Sequence, residues 1–227
     1  MEKPRSPSRY GRGSRLAAVL LLLLGAPASA VEAPATAPSG GTKLADVNGD
    51  GVVRIGCLGD GNTAWQSTSR GWCELVIPAL EKTNVESLNL AQTGATAAAG
   101  TPSGVEQVDR AVAGNVDAVI LAFGTEDLGS GKKSPEEVVA AYQELAKKAE
   151  AAKILVFIGS IPSHPEAPND AATGRANALL AKSFPEVIDF ASGFEKRDFD
   201  EDGTKLNWMG QVKRANRAYL FLVARVD

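Results

Sequence analysis

The sequence predicts an α/β domain built on a parallel sheet of five strands. Five short apolar segments recur along the chain, and segments with helical periodicity lie between them. Two of the apolar segments, within 116–123 and 153–160, hardly alternate with polar residues, which is typical of strands covered on both faces. Strands and helices that alternate in this order form parallel sheets joined by right-handed crossovers.

The strand segments are short and mostly rich in β-branched or aliphatic residues, as strands prefer. In chain order they are VVRIGCL (52–58), VESLNLA (85–91), VDAVILAF (116–123), KILVFIGS (153–160) and EVIDFAS (186–192). Because the carboxyl ends of parallel strands meet at one edge of the sheet, the loops that follow these segments should lie together.

Two helices carry clear start signals. In the segment 134–153, Ser134 is a plausible N-cap, Pro135 follows at the first helical position, and Glu137 completes a capping box. The last segment, 207–225, predicts a helix capped by Asn207.

The first thirty residues predict export. They begin with a basic segment, continue with an apolar run of about nine residues, and end in Ala28-Ser29-Ala30, which fits a small-x-small cleavage site. The apolar run is shorter than the roughly 20 residues that span a membrane. We therefore predict a cleaved signal peptide at 1–30, a secreted or periplasmic protein, and no membrane contact after cleavage.

The remainder divides into a linker and one domain. Residues 31–45 are mostly small and rich in proline, which predicts a flexible linker. Residues 46–227 are enough for one domain with a proper core. Removal of 1–30, which holds five basic residues and one acidic residue, changes the formal net charge from −3 to −7. Such an acidic protein is a poor candidate for binding nucleic acid, so no nucleic-acid partner is predicted.

Cys57 and Cys73 are the only cysteines. An oxidising compartment allows a disulfide between them. Two buried free thiols are the alternative, because spacing alone does not supply the geometry that a disulfide needs.

Three glycine-containing loops follow the first three predicted strands. They are GDGNT (59–63), AQTGAT (91–96) and GTEDLGSG (124–131). A fourth segment, DGTKLNWMGQ (202–211), leads into the last helix. Each could be an ordinary turn, but their order and placement together are more specific.

This set of motifs resembles the SGNH, or GDSL-like, hydrolases, from Val52 to the end of the chain. The family has Gly-Asp-Ser-x-Thr where this chain has GDGNT, a glycine at Gly94, Gly-x-Asn-Asp in place of GTED (124–127), and Asp-x-x-His within 202–205. The resemblance implies a flavodoxin-like three-layer α/β/α sandwich. It also implies esterase or lipase-like activity on a small acyl or carbohydrate ester ligand. No cofactor and no metal are predicted.

The family's reactive groups map onto five residues of this sequence. The resemblance places Gly61 at the nucleophile, Gly94 and Glu126 at the oxyanion hole, Lys205 at the base and Asp202 at the residue that orients the base. Only Gly94 and Asp202 keep the family residue type. A further set is predicted to line the crevice: Asp60, Asn62, Thr63, Trp65, Thr125, Asp127 and Trp208.

The three replacements predict a disabled ester-hydrolysis site. Glycine has no atom to acylate, an ionised Glu126 would repel an oxyanion, and a lysine side chain is ordinarily protonated at neutral pH. We expect Glu126 and Lys205 to face the same space and to approach one another, directly or through a water. The alternative is an active esterase or lipase-like hydrolase that uses displaced residues such as Thr63, Ser67 or Thr204.

Three other features have competing interpretations. His164, the only histidine, follows the fourth strand, and we expect it to be exposed to solvent. The first acidic loop, DVNGDG (46–51), and the second, DFDEDG (198–203), each match the opening of a calcium loop. Neither has an acidic twelfth residue, so a polar turn and a solvated loop are the alternatives.

Overall fold

Five parallel strands form one sheet. The computed structural model describes residues 41–226 except 66–69, 81, 83, 98–99, 101, 130–132, 165 and 168. Within these residues the strands are β1 (Val53–Gly59), β2 (Val85–Asn89), β3 (Ala118–Ala122), β4 (Leu155–Gly159) and β5 (Val187–Ile188), in the order β2-β1-β3-β4-β5. Every neighbouring pair is parallel, as the sequence predicted.

Helices cover both faces of the sheet, which confirms the three-layer arrangement. In chain order they are α1 (Gly61–Ala64), α2 (Trp72–Ala79), α3 (Gly104–Ala113), α4 (Thr125–Gly129), α5 (Pro135–Ala151), α6 (Asp170–Ser183) and α7 (Trp208–Val223). Residues of α3, α5 and α6 share one apolar core with the sheet, whereas those of α2 and α7 share the other. β3 and β4 contribute to both cores, which explains why their sequences hardly alternate.

The predicted helix starts are confirmed. Ser134 and Glu137 form a complete capping box at the start of α5, with Pro135 in the first turn. The Asn207 side chain accepts the backbone N–H groups of Met209 and Gly210 at the start of α7. These caps satisfy amide groups that a helix leaves without intrahelical partners.

The prediction for the fifth strand was too long. β5 contains only Val187–Ile188. Directly after it, the Asp189 carboxylate accepts the backbone N–H groups of Ala191 and Ser192, and Ser160 Oγ accepts that of Phe190. These side-chain acceptors turn the chain out of the sheet, although Phe190 remains fully buried.

The packed domain begins before the predicted boundary at residue 46. Leu44 is 6% exposed and belongs to the same core as α2 and α7. Its backbone N–H donates to the Arg225 carbonyl at 3.0 Å. The last residues of the predicted 31–45 linker are therefore attached to the domain, because an apolar side chain there finds a place in the core.

The export signal predicted at 1–30 and the linker residues 31–40 lie outside the described residues. Among the helices that are described, none combines the length and the apolar character needed to cross a membrane. Export therefore remains a prediction from the sequence.

The two cysteines form a disulfide. Cys57 on β1 and Cys73 on α2 are bonded, and both residues are fully buried. The bond fastens the helix to the strand that leads into GDGNT. Of the two alternatives that the sequence left open, the structure contains the disulfide.

Replacing both cysteines by alanine should lower the free energy of unfolding by about 3 kcal/mol, because the closed loop of about 16 residues restricts the unfolded chain. Denaturant unfolding of the parent and the Cys57→Ala/Cys73→Ala variant measures the difference. Reductant present throughout unfolding should destabilise only the parent. Equal stability of the two proteins without reductant would contradict this assignment.

Candidate active site

The loops predicted to meet at the carboxyl edge of the sheet do so. In the register of β1 and β3, Gly59 lies beside Ala122. The chain therefore enters GDGNT next to the point where it enters GTED. A side chain at Gly59 would collide with Thr63 Oγ1 and with the Ala122 carbonyl oxygen. The close approach of these two loops thus requires glycine at the end of β1.

Gly61 lies between residues from the three other motifs. A Cβ atom at position 61 would lie 3.3 Å from Glu126 Oε1, 3.8 Å from Thr93 Cγ2 and 3.9 Å from Lys205 Cε. Thr93 precedes Gly94 in the second loop, Glu126 lies in α4, and Lys205 lies in the segment before α7. The side chains of Glu126 and Lys205 therefore extend into the space around Gly61.

The Asp60 carboxylate joins the first loop to the third. One oxygen accepts the backbone N–H of Asn62 at 3.0 Å, and the other accepts those of Thr125 at 2.9 Å and Glu126 at 3.4 Å. Asp60 is 1% exposed. Burial raises the pKa of this carboxyl to about 6, although the nearby Arg214 guanidinium and the amide donors oppose that rise.

The Asn62 side chain joins the first loop to the segment before α7. Its Nδ2 donates to Thr125 Oγ1 at 3.0 Å and to the Thr204 carbonyl at 3.2 Å, and its Oδ1 accepts the Leu206 N–H at 2.7 Å. Asn62 thereby holds both neighbours of Lys205 in place. We call the hydrogen bonds of Asp60 and Asn62 the loop clamp.

Two buried polar side chains support the loop clamp from below. Gln107 of α3 accepts the Gly59 N–H at 2.8 Å and donates to the Gly59 carbonyl at 2.9 Å. Arg214 of α7 donates to the Asn62 carbonyl at 3.2 Å, and its guanidinium lies over the rings of Trp72 and Phe190. Neither residue could be predicted from the sequence, because each lies inside a helix with no local motif around it.

Asp202 and Lys205 are both exposed. Asp202 Oδ1 accepts the backbone N–H and the hydroxyl of Thr204, each at 2.9 Å. The Thr204 amide is the main reason why the pKa of Asp202 lies below its usual value, and the Lys205 charge adds to the effect. The expected approach of Lys205 to Glu126 is not a direct ion pair: among the described residues, no ion pair within 4.0 Å joins the two.

Four of the residues predicted to line the crevice are instead buried within the protein. They are Asp60, Asn62, Thr63 and Asp127, each at most 2% exposed. Thr63 donates its hydroxyl to the Ala122 carbonyl, and the Asp127 carboxylate accepts the Ala97 N–H. Their polar groups are directed inward because the backbone of the converging loops needs partners there. The other three, Trp65, Thr125 and Trp208, are half-buried or exposed, and their place in the crevice stays a prediction.

Gly94 has φ of +78°, a conformation that residues with a side chain rarely adopt. No atom of the described residues lies within 4 Å of the position that a Cβ would occupy there. Backbone conformation, rather than lack of space, therefore accounts for glycine at this position.

The prediction that His164 is exposed was wrong. Its side chain is only 3% exposed, and its ring packs against that of Phe199 with centroids 4.8 Å apart. Nδ1 accepts the Glu166 N–H at 3.3 Å. Nε2 lies 3.0 Å from the Cβ position of Gly203, so the second acidic loop covers the ring.

The two acidic loops use their carboxylates within the protein. In the first, Asp46 accepts backbone N–H groups of its own loop, and Asp50 pairs with Arg54. In the second, Asp198 binds Lys213 Nζ at 2.5 Å. Among the described residues, no group of three His, Cys, Asp or Glu side chains is arranged to hold a metal ion. These contacts favour the polar turn for the first loop, whereas the second loop is solvated only in part, since Asp198 is buried and 200–202 are exposed.

A family comparison agrees with the order of the motifs. The model of the GDSL-like lipase/acylhydrolase family matches residues 57–210, which include the first three motifs and the fourth as far as Gly210. The chain belongs to this family. The GDSL-like assignment also accounts for the sheet order and for the convergence of the loops on Gly61. A comparison with curated protein sequences gave no significant match.

Solved structures of GDSL-like and related proteins share the fold. A lipolytic protein of the G-D-S-L family from Veillonella parvula is 20% identical, with a TM-score of 0.61 over 74% of this chain and 96% of that chain. A carbohydrate esterase of family 3 from Talaromyces cellulolyticus is 16% identical, with a TM-score of 0.59 over 74% and 95%. An acetyl esterase mutant with acetate ion is 17% identical, with a TM-score of 0.57 over 74% and 95%.

The raised pKa of Asp60 predicts a particular dependence of stability on pH. Unfolded aspartate titrates near 3.9, so the native state binds more protons than the unfolded state between about pH 4 and pH 6. The contribution of Asp60 to the unfolding free energy should therefore decrease as the pH rises through this range, by at most about 3 kcal/mol.

The difference in unfolding free energy between the parent and Asp60→Asn, measured from pH 4 to pH 7, tests this. The parent should lose stability relative to the variant as pH rises, whereas the exposed control Glu144→Gln should show no such trend. If NMR shows that the Asp60 carboxyl of the parent protein titrates near pH 4, the assignment is wrong.

Proposed function

We propose that this protein is an exported member of the GDSL-like family that binds a ligand in its crevice and does not hydrolyse esters by the family mechanism. The observation that carries this proposal is glycine at position 61, in the space that Glu126 and Lys205 enter. An acyl-enzyme cannot form where the chain offers only a backbone amide.

The groups around Gly61 also oppose the remaining steps of ester hydrolysis. A Glu126 carboxylate would raise the energy of a negatively charged tetrahedral intermediate, which a neutral amide donor would lower. A lysine ammonium has no lone pair with which to take a proton. Each of the three replacements therefore disfavours ester hydrolysis.

The loop clamp supports a retained binding role. Asp60 and Asn62 make six hydrogen bonds that hold the loops around Gly61. These contacts keep the loops around Gly61 in one arrangement, as a preformed binding site requires. The family and its solved relatives suggest an acyl or carbohydrate ester as a ligand, held but not cleaved.

A displaced mechanism has less support. Thr63 is fully buried and donates its hydroxyl to a carbonyl, so it cannot reach a ligand. Thr204 donates its hydroxyl to Asp202, but this carboxylate has a lowered pKa and is a weak base. His164 is covered by the second acidic loop. Ser67 lies outside the described residues.

The purified protein should hydrolyse p-nitrophenyl acetate and octanoate no faster than a non-hydrolytic protein of the same fold. The missing hydroxyl at Gly61 is the physical reason. Release of p-nitrophenolate, followed through successive purification steps, measures the rate. Turnover that persists through purification and disappears in Thr204→Val would establish the displaced mechanism instead.

The reversion Gly61→Ser alone should recover little activity. The new side chain fits, because the nearest atom to its Cβ is the end of the flexible Glu126 side chain, but it would lack a base. The combined change Gly61→Ser/Glu126→Asn/Lys205→His should be at least about a hundredfold more active, since the groups of such a site act as a unit. If the single variant is as active as the combined one, the roles assigned to Glu126 and Lys205 are wrong.

A further inference from the structure

The space over Gly61 is flanked by one negative and one positive side chain. Glu126 Oε1 and Lys205 Cε lie 3.3 and 3.9 Å from the position of the absent Cβ. Building on the proposed binding role, we infer that this space binds a small zwitterion of the α-amino acid class in place of the ester that the family suggests. Its ammonium group contacts Glu126, and its carboxylate contacts Lys205.

The limits on the separation of the two charged groups include the span of such a ligand. Both distances start at the Cβ position of Gly61, so Glu126 Oε1 and Lys205 Cε are at most about 7.2 Å apart. Lys205 Nζ lies one bond beyond Cε. Among the described residues no ion pair joins the two, so the nitrogen is also more than 4.0 Å from the carboxylate oxygens. An α-amino acid that makes a charge-assisted hydrogen bond of about 2.8 Å at each end spans roughly 8 Å.

Charge complementarity favours a zwitterion over an ion of either sign. A simple carboxylate attracted to Lys205 would be repelled by Glu126, and a simple amine at Glu126 would be repelled by Lys205. A zwitterion satisfies both groups. A carboxylate can accept several hydrogen bonds at once, so the other contacts of Glu126 do not prevent this binding.

The site is open to such a ligand. Lys205 is exposed, and Gly61 and Glu126 are half-buried. On the neighbouring loop, no atom of the described residues comes within 4 Å of the Cβ position of Gly94. Solvent therefore reaches the Lys205 side chain and part of Gly61 and Glu126.

Calorimetric titration with L-alanine, L-alaninamide and propionate at neutral pH and constant ionic strength tests the inference. L-Alaninamide lacks the carboxylate, and propionate lacks the ammonium group. L-Alanine should bind at least tenfold more tightly than either. Glu126→Gln and Lys205→Gln should each weaken its binding at least tenfold, whereas the controls Glu144→Gln and Lys147→Gln, both exposed on α5, should not change it.

Three results would overturn the inference: propionate or L-alaninamide binding as tightly as L-alanine, unchanged binding in the two site variants, or no heat of binding with L-alanine up to about 50 mM. Circular dichroism of each variant confirms that it is folded. Ester turnover in the same samples separates the two proposals. Turnover contradicts the proposed function, whereas absence of both turnover and L-alanine binding contradicts only the ligand class.

Discussion

The hydrogen bonds of Asp60 and Asn62 hold three segments together at the carboxyl edge of the sheet. Asp60 fixes the start of α4 through the N–H groups of Thr125 and Glu126. Asn62 fixes the segment before α7 through Thr204 and Leu206. Neither side chain is exposed enough to react with a ligand, yet both decide which groups meet over Gly61.

The residues that hold the site in place are therefore different from the residues that could contact a ligand. The supporting residues are buried and hydrogen-bonded to the backbone of the loops, whereas Glu126 and Lys205 extend into the space around Gly61. Substitutions at Gly61, Glu126 and Lys205 can therefore change what the site does without dismantling the fold. Burial of the Asp60 carboxylate costs free energy, as its raised pKa indicates. Arg214 beneath it offsets part of that cost.

Features that depend on local pattern could be predicted from the sequence. The continuous apolar segments predicted the buried strands, and the Ser134 capping box predicted the start of α5. The convergence of the strand-end loops follows from the geometry of a parallel sheet. The placement of Glu126 and Lys205 around Gly61 was predicted from the resemblance to the family.

Features that depend on partners distant in sequence could not be predicted. His164 is buried because Phe199 and Gly203 cover it, about 35 residues further along the chain. Leu44 belongs to the core only because α2 and α7 leave room for it. Asp60 and Asn62 were predicted to line the crevice. They are buried instead, because the backbone of the converging loops needs hydrogen-bond acceptors and donors there.

The central claim is that the arrangement of the site is intact and that only its reactive side chains are missing. Labelling with a serine-reactive fluorophosphonate, read by intact mass, tests this directly. The account predicts no adduct on the parent protein and one adduct, located at position 61, on the folded Gly61→Ser/Glu126→Asn/Lys205→His variant. An adduct on the parent, or a folded variant that does not react, would contradict it.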